Sequence, residues 1–361
     1  MPLDFITWHG YSTSPNIEQE ATIYKKTAIN LIRDWLTYFN FDRNTPLVVD
    51  EWNYDSCANV LRERHEDAYI SASYVPSRLK KMYEAGIDYQ LYFCLEDFYN
   101  KKEGVARNVG IFWFDPEASE YKGSPKTIYN VFRMLSRLGN EMFLSVTKVD
   151  DEFVGMIATK TQDGVAIILY NYIDPEAAKN YLSRNISSLN EPERKSLLTL
   201  IKTNKIEKVL SRKLDISSLH LSNKVEALLR KVQELNDQVI KFKSSPRNIK
   251  LAIKNMPEDY VYQKYTIDFS CNIGCELVPF EEKEVRAADL YQETLSLKPY
   301  SVNMIIFKKK PKEPENPATE TKAQVAPTIV SEGSGTTKSL NITQETPKSE
   351  AAPNVTSPPS K

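Results

Sequence analysis

Hydrophobic and polar residues alternate in two different ways along this chain, and the change falls near residue 140. Before that point, short apolar runs are separated by longer segments with apolar residues every three or four positions. The apolar runs cover 3–8, 47–49 and 88–95, and the periodic segments cover 18–39, 67–85 and 125–138. Strands and helices in this alternation predict a parallel sheet or a barrel. Three strands are too few to close a barrel, which takes eight.

Each predicted strand runs directly into polar or aromatic residues. These residues are His9 and Tyr11 after the first strand, Glu51, Trp52 and Asn53 after the second, and Glu96 and Asp97 after the third. Because the carboxyl ends of barrel strands converge on one pocket, we expect these side chains to lie close together. Neighbouring residues of a strand point to opposite sides, so only one of Glu96 and Asp97 is expected to face that pocket.

The predicted pocket has the composition of a carbohydrate site. Aromatic faces suit the C–H side of a sugar ring, and carboxylates and amides bind its hydroxyl groups. A carboxylate aimed at an anomeric carbon can act as a nucleophile, which makes Glu51 the candidate catalytic residue. Each assignment has a structural alternative: Glu51 as a carboxylate at a strand end, His9 as a core histidine and Trp52 as part of the sheet wall.

From residue 141 the pattern becomes that of antiparallel strands. Segments 153–159 and 165–172 flank Asp163-Gly164, a dipeptide that favours a tight hairpin turn. In-out alternation continues at 248–253, 260–267 and 300–307. These segments predict a β-sandwich built from residues 141–174 and 246–308.

Residues 175–245 interrupt the predicted sandwich with a charged, glycine-free and helical pattern. Apolar residues from Val225 to Phe242 recur every three or four positions and form a short heptad-like seam. A helical hairpin lying on its own domain is favoured, and self-association through 225–242 is the alternative. The tail, 309–361, is rich in Pro, Thr, Ser, Lys and Glu, and is predicted to be disordered.

Composition narrows the functional classes. The 361-residue chain has 47 basic and 48 acidic side chains, a balance that does not favour nucleic acid or an anionic membrane. No apolar run reaches the ~20 residues of a membrane span, and no signal peptide is recognisable, which leaves the compartment open. Four cysteines and three histidines show no metal-binding spacing, so no metal is expected. Cys271 and Cys275 can form a small disulfide or remain thiols, and the reduced state is favoured.

The strand ends together resemble the C-terminal part of glycoside hydrolase family 39, the family of β-xylosidases and α-L-iduronidases. Asp4-Phe-Ile-Thr-Trp-His-Gly-Tyr11 resembles the family's sixth strand, Asp50-Glu-Trp-Asn53 its seventh and Tyr92-Phe-Cys-Leu-Glu-Asp-Phe98 its eighth. Residues 124–139 resemble the closing helix. The family then adds a β-sandwich, and the 175–245 insertion departs from it.

The resemblance implies the C-terminal part of a (β/α)₈ TIM barrel over 1–140, followed by the sandwich. It makes Glu51 the nucleophile of a retaining glycosidase acting on a β-xyloside-like saccharide, with Tyr11 as its hydrogen-bond partner. The other strand-end residues would line the sugar subsite, namely His9, Trp52, Asn53, Glu96 and Asp97. The resemblance implies no cofactor.

The same resemblance predicts that this chain is incomplete as an enzyme. The family's general acid/base is a glutamate on the fourth strand, and strands one to five have no counterpart in this sequence. We therefore expect a truncated glycosidase that is inactive alone. Two other hypotheses remain open. One is a non-catalytic module that binds glycan or protein through the sandwich and the 175–245 helices, and the other is a decayed fragment without a stable fold.

Overall fold

The first part of the chain forms a three-stranded parallel sheet. A computed structural model describes residues 3–22, 24–54, 68–100, 105–107, 109–113, 123–148, 153–311, 328–332 and 339–343. The first elements are β1 (Ile6–His9), α1 (Ala28–Tyr38), β2 (Leu47–Trp52), α2 (Ala68–Glu84) and β3 (Tyr89–Tyr92). The three strands pair in parallel in the order β1-β2-β3. The three predicted strands are therefore present, and the described residues contain no closed barrel.

The helix predicted over 18–39 is correct only for its second part. A single 3₁₀ turn spans Ile17–Gln19, and the backbone N–H of Thr22 then donates to the Lys26 carbonyl at 2.8 Å, which closes a turn. α1 begins only after Thr27, whose side chain accepts a hydrogen bond from the Asn30 N–H at 3.2 Å. Such an N-cap satisfies one of the first unpaired N–H groups of a helix, so it fixes where the helix starts.

Two short ribbons and a third helix follow the parallel sheet. These elements are β4 (Phe98–Asn100), β5 (Val105–Arg107), β6 (Phe112–Trp113), β7 (Ser124–Pro125) and α3 (Thr127–Leu135). β4 pairs with β5, and β6 pairs with β7. α3 begins two residues after Pro125 and packs against α2, so both helices cover the same side of the molecule.

Strands and helices then alternate in blocks. The first block holds β8 (Glu141–Met142), β9 (Leu144–Lys148), β10 (Val154–Thr161) and β11 (Gly164–Asn171). The helical block holds α4 (Ala177–Asn185), α5 (Glu191–Lys202), α6 (Lys205–Leu210) and α7 (Asn223–Ser244), with 3₁₀ turns at Ile186–Ser188 and Ile216–Leu219. The last block holds β12 (Arg247–Met256), β13 (Tyr260–Ile267), β14 (Glu281–Val285), β15 (Ala288–Leu297), β16 (Val302–Lys309), β17 (Thr328–Glu332) and β18 (Ser339–Thr343).

The strands of these blocks form two antiparallel sheets that share a hydrophobic cluster. One sheet has the order β14-β13-β16-β11-β10-β8, and the other has the order β15-β12-β17-β18-β9. Leu251 and Leu295 of the second sheet lie in the same buried cluster as Ile167 and Phe307 of the first. The hairpin predicted at Asp163-Gly164 is present, joining β10 to β11.

The six-stranded sheet is buried on both faces along its strand β11. Along β11, Val165, Ile167 and Leu169 lie in the cluster between the two sheets. The alternate residues Ala166 and Ile168 lie in a second cluster, which also holds side chains of α2, α3 and the end of β2. The alternation of a β-strand therefore places this sheet between two hydrophobic cores.

Helices α4 to α7 enclose a hydrophobic cluster of their own. The cluster includes Leu197 of α5, Val209 of α6, and Val225, Leu229 and Val232 of α7. Farther along α7, two further apolar side chains, those of Val239 and Phe242, join the core under the six-stranded sheet. The seam predicted over 225–242 is thus filled largely from within the chain. None of the helices in the described ranges is long and apolar enough to cross a membrane.

The structure also differs from the sequence-based expectations in two later strands, in part of the tail and in one pair of cysteines. β14 and β15 were not predicted, because their alternation is dominated by charged and polar residues on exposed faces. The tail, predicted to be disordered, contributes β17 and β18, which pair with β12 and β9; the rest of it beyond residue 311 lies outside the described residues. Cys271 and Cys275, expected to be reduced, form a disulfide.

Candidate functional site

The carboxyl ends of β1 and β2 bring His9 and Glu51 side by side. The register of the two strands shifts between Trp8 and His9, so that His9 pairs with Glu51. Beyond the last paired residue, the Gly10 N–H donates to the Glu51 carbonyl at 2.8 Å. The residues after β1 therefore continue alongside β2, and this places Tyr11 close to the Glu51 carboxylate.

Glu51 is contacted on both carboxylate oxygens. The Tyr11 hydroxyl donates a hydrogen bond to Glu51 Oε1, the contact that the family resemblance implies. His9 Nε2 lies 3.6 Å from Glu51 Oε2, and the two side chains are 60% and 28% exposed. The Tyr11 ring stands edge-on to His9 and to Phe93, with centroids 6.4 Å apart in both cases. Neighbouring rings thus support the phenol that holds Glu51, while the Glu51 side chain stays partly exposed.

Asp50 is a neighbour of this site that sequence reasoning did not single out. Its Oδ1 lies 4.0 Å from His9 Nε2, so the same imidazole faces both Asp50 and Glu51. That oxygen is buried and accepts no hydrogen bond from the described residues. Its position immediately before Glu51 was the available signal, but strand alternation places adjacent side chains on opposite faces and argued against it.

A buried ion pair lies beneath the loop that carries Tyr11. Arg78 of α2 and Glu18 form a bidentate ion pair, and both side chains are buried. Burial alone would lower the pKa of Arg78, but the hydrogen bonds to Glu18, together with the charge interactions with Tyr74 and Glu18, outweigh that effect and raise the pKa. Arg78 also donates to the Pro15 carbonyl at 3.1 Å. A Cβ at Gly10 would meet Arg78 Nη2 at 2.7 Å, so a larger residue there would have to displace the guanidinium from its pair with Glu18.

Trp52 and Asn53, expected in the sugar subsite, are buried in the structure. The Trp52 indole N–H donates to Gln90 of β3, and its ring packs on Tyr92 with centroids 5.0 Å apart. The Asn53 amide donates to the Phe93 carbonyl at 2.6 Å and the Val109 carbonyl at 2.8 Å. Both side chains tie strand ends together and are withdrawn from solvent.

Asp97 is likewise buried, whereas Glu96 is exposed. Asp97 Oδ1 accepts from Lys126 Nζ at 2.9 Å and from the Gly110 N–H at 2.7 Å. This ion pair joins the residue that precedes β4 to the residue that precedes α3. The Cys94 thiol, which donates to the Glu96 carbonyl at 3.0 Å, has its pKa raised by burial and by the nearby Asp97. Of the adjacent acids, Glu96 is therefore the one available to a ligand.

The structure brings together one part of the predicted site and separates another. His9, Tyr11 and Glu51 form a contact group, whereas Trp52, Asn53 and Asp97 form the framework behind it. A partly exposed carboxylate held by a phenol can attack an electrophilic carbon or accept a proton. Within the described ranges, no group of three or more His, Cys, Asp or Glu side chains is arranged to hold a metal ion.

No family model matches the chain, and no curated protein sequence matches it. Among solved structures, the chain is similar to a glucosidase from Croceicoccus marinus, with 15% sequence identity and a TM-score of 0.54. A GH39 enzyme from Xanthomonas axonopodis pv. citri (14% identity, TM-score 0.48) and a monomeric β-xylosidase from Caulobacter crescentus (13%, 0.47) are more distant. These matches cover 86%, 86% and 85% of this chain, and 54%, 55% and 56% of those chains.

The likeness to the glucosidase shows a shared fold. The chain spans about half the length of each of these enzymes. The fold match places this chain among proteins whose architecture combines helices with sheets, as described above.

Proposed function

We propose that this chain carries the nucleophile of a retaining glycoside hydrolase that acts on β-xyloside-like substrates. The observation that carries the proposal is the position of Glu51, whose carboxylate is held by the Tyr11 hydroxyl and faced by the His9 imidazole at a parallel strand end. Retaining hydrolysis begins when such a carboxylate attacks the anomeric carbon and forms a covalent glycosyl-enzyme. His9, Tyr11 and Glu96 are the proposed sugar contacts.

The proposal assigns residues 1–140 to strands six to eight of a (β/α)₈ barrel and residues 141–174 and 246–308 to a β-sandwich domain. Residues 175–245 are the helical insertion. Support for the first assignment comes from the parallel order β1-β2-β3, because parallel strands joined by helices are the repeat unit of such barrels. Exposed apolar side chains on β3 and near α1, such as Leu91 and Phe39, fit a surface that further units would cover.

The proposal also places the general acid/base outside this chain. A retaining enzyme needs a second carboxyl group about 5–5.5 Å from the nucleophile, which protonates the leaving group. Loss of a positioned acid costs about 10²–10⁴-fold for a leaving group that needs a proton. We therefore expect this chain alone to be inactive on ordinary glycosides and to react only with substrates whose leaving group needs no protonation.

This expectation gives the test. The purified chain is incubated with 2,4-dinitrophenyl 2-deoxy-2-fluoro-β-xyloside, whose phenolate leaves without an acid, and the digested protein is analysed by mass spectrometry. We expect slow labelling of the peptide that contains Glu51. Tyr11→Phe should label more slowly, because the hydroxyl that orients the carboxylate is lost. The corresponding alkyl fluoroxyloside should give no label.

Two variants make the result decisive. Glu51→Gln should abolish labelling, whereas Glu96→Gln, a matched change at the neighbouring strand end, should keep Glu51 labelled. Labelling of another carboxylate, or undiminished labelling of Glu51→Gln, would overturn the nucleophile assignment. Absence of any label on a chain that unfolds cooperatively would overturn the proposal that this chain presents a functional nucleophile.

A further inference from the structure

A second pocket lies where the parallel-sheet region, the six-stranded sheet and the helical block meet. Its volume is about 480 Å³, within the range of small-molecule sites. Its walls come from the loop at Ser14, from α2, from β10 and β11, and from α4 and α7. The residues that contact Glu51 are not among its lining residues, so this pocket is separate from the proposed active site.

Lys80 of α2 is the unusual group in this pocket. Its side chain is only 19% exposed, and its Nζ lies 3.8 Å from Glu84 Oε1, too far for a hydrogen bond. The other oxygen of Glu84 accepts from Lys81 Nζ at 2.7 Å. Burial lowers the pKa of Lys80, an effect opposed by Glu84 and reinforced by Lys81. A largely buried lysine side chain whose ammonium makes no hydrogen bond to the described residues can donate to a ligand in the pocket.

Asp174, one of the two acids of the same pocket, has hydrogen bonds on both carboxylate oxygens. Asp174 Oδ1 accepts from the Glu176 N–H at 2.9 Å, and its Oδ2 accepts from the Asn180 amide at 2.8 Å. Arg184, a second cation of the lining, pairs with Glu20 and has its pKa lowered by burial. The lining holds three basic side chains, those of Lys80, Lys81 and Arg184, against two acidic ones, those of Glu84 and Asp174, so its excess positive charge suits an anion.

We propose that this pocket binds a hydroxylated monocarboxylate of monosaccharide size, a sugar acid, through Lys80. A single negative charge fits better than a phosphate dianion, because Glu84 and Asp174 lie in the same walls. Tyr181 of α4 and Gln238 of α7 also line the pocket, and their hydroxyl and amide suit the ligand's hydroxyl groups. Because these two residues belong to the helical block, the ligand would tie that block to the rest of the protein.

The test is calorimetric titration of the full chain with glucuronate, with glucose and inorganic phosphate as comparison ligands. We expect glucuronate to bind and glucose and phosphate to bind at least tenfold more weakly. Lys80→Met should weaken glucuronate binding about ten- to a hundredfold, the loss typical of a hydrogen bond to a charged group. Lys195→Met, at an exposed lysine of α5, is the matched control and should leave binding unchanged.

The thermal midpoint of each variant separates binding from folding. Lys80→Met should fold with an unchanged or higher Tm, because it removes a largely buried charge and keeps the length of the side chain. Glucuronate should raise the Tm of the original chain and of Lys195→Met, but not that of Lys80→Met. Equal binding of phosphate, equal binding of glucuronate by Lys80→Met, or no binding by the folded chain would each overturn the proposal. None of these outcomes depends on Glu51.

Discussion

The parallel sheet and the six-stranded antiparallel sheet of this protein differ in how they are covered. The parallel sheet leaves large apolar side chains in solvent, including Phe5 before β1 and Tyr89 and Leu91 of β3. The six-stranded sheet has hydrophobic cores against both faces, and side chains such as Ile167 and Ile168 are completely buried. The six-stranded sheet is therefore covered by side chains of this chain. The candidate active site, in contrast, lies at the end of a sheet whose outer strands expose apolar side chains to solvent.

β2 contributes Val49 and Trp52 to the shared core, but polar contacts hold the loops that surround the site. The Arg78–Glu18 pair supports the loop that carries Tyr11, and the Lys126–Asp97 pair holds the residue that precedes β4. Buried ion pairs specify geometry but tolerate the loss of one partner poorly. The following predictions test this contrast, beginning with the largest expected effect.

Glu18→Gln should destabilise the chain by about 3–5 kcal/mol, because it leaves the Arg78 guanidinium buried without a counter-charge. Urea unfolding of the purified variant measures the loss. The double variant Glu18→Leu/Arg78→Met, which removes both charges, is the control and should recover most of it. A loss below about 0.5 kcal/mol in Glu18→Gln would mean that water reaches Arg78 and that the pair does not support the loop.

Ile167→Ala and Leu91→Ala compare the two sheets directly. Ile167 of β11 is fully buried, and its truncation should cost about 2–5 kcal/mol in the free energy of unfolding. Leu91 of β3 is 55% exposed, so the same kind of truncation should cost about 0.5 kcal/mol or less. Chemical denaturation of both variants gives the comparison. Equal losses would show that β3 is covered in solution.

Asp268→Asn tests how a buried carboxylate next to the six-stranded sheet makes the stability of the protein depend on pH. Burial alone would raise the pKa of Asp268, but hydrogen bonds from Lys298 Nζ at 2.7 Å and from Ser270 lower it below its ordinary value. The stabilisation is therefore present above the unfolded-state pKa of about 3.9 and is lost as the pH falls through the lower folded-state value. The variant should be about 1–3 kcal/mol less stable than the original chain at pH 7.

The pH dependence of that difference is the decisive measurement for Asp268. Urea unfolding at pH 7 and pH 3 should show that the difference in the free energy of unfolding between the original chain and Asp268→Asn is smaller at pH 3. Asp163→Asn, at a half-exposed aspartate of the β10–β11 turn, is the control and should change little at either pH. A gap that stays constant would contradict the assignment of the stabilisation to the Asp268 carboxylate.

Tyr89→Lys together with Leu91→Lys should have the smallest effect on stability, within about 0.5 kcal/mol, because both side chains are exposed. The effect is expected on association instead, since charged residues on an open strand oppose edge-to-edge pairing. Sedimentation velocity over a range of protein concentrations should show less self-association for the double variant than for the original chain. If the original chain associates and the double variant associates to the same extent, the contact between chains does not involve β3.

Sequence patterns predicted the parallel strands, because an apolar run that ends in a carboxylate is a local signal, and the family resemblance implied the Tyr11–Glu51 contact. They did not predict that Trp52, Asn53 and Asp97 are buried. Those residues become framework groups only through partners distant in sequence, such as Lys126 for Asp97 and Val109 for Asn53. Alternation along a strand gives two faces and does not say which face opens to solvent.

The helical block shows the same limit. Its helices were predicted from apolar spacing, but the division of α7 between two cores was not, since Val232 and Phe242 are equivalent in the pattern and differ only in tertiary contacts. β14 escaped prediction because an edge strand needs few apolar residues. Its sequence, Glu-Glu-Lys-Glu-Val, has low strand propensity, and pairing with β13 overrides that preference.

The burial of β11 on both faces has a consequence for how the protein opens. Its backbone amides pair with β10 on one side and β16 on the other, and its side chains are shared by two cores. Water therefore reaches these amides only when both cores separate, so hydrogen exchange along β11 should proceed through the global opening reaction. Amides of β1 and β3, at the margins of the small sheet, should exchange through local openings of much lower free energy. One strand thus joins the two cores into a single cooperative unit, while the margins of the small sheet can open locally without separating those cores.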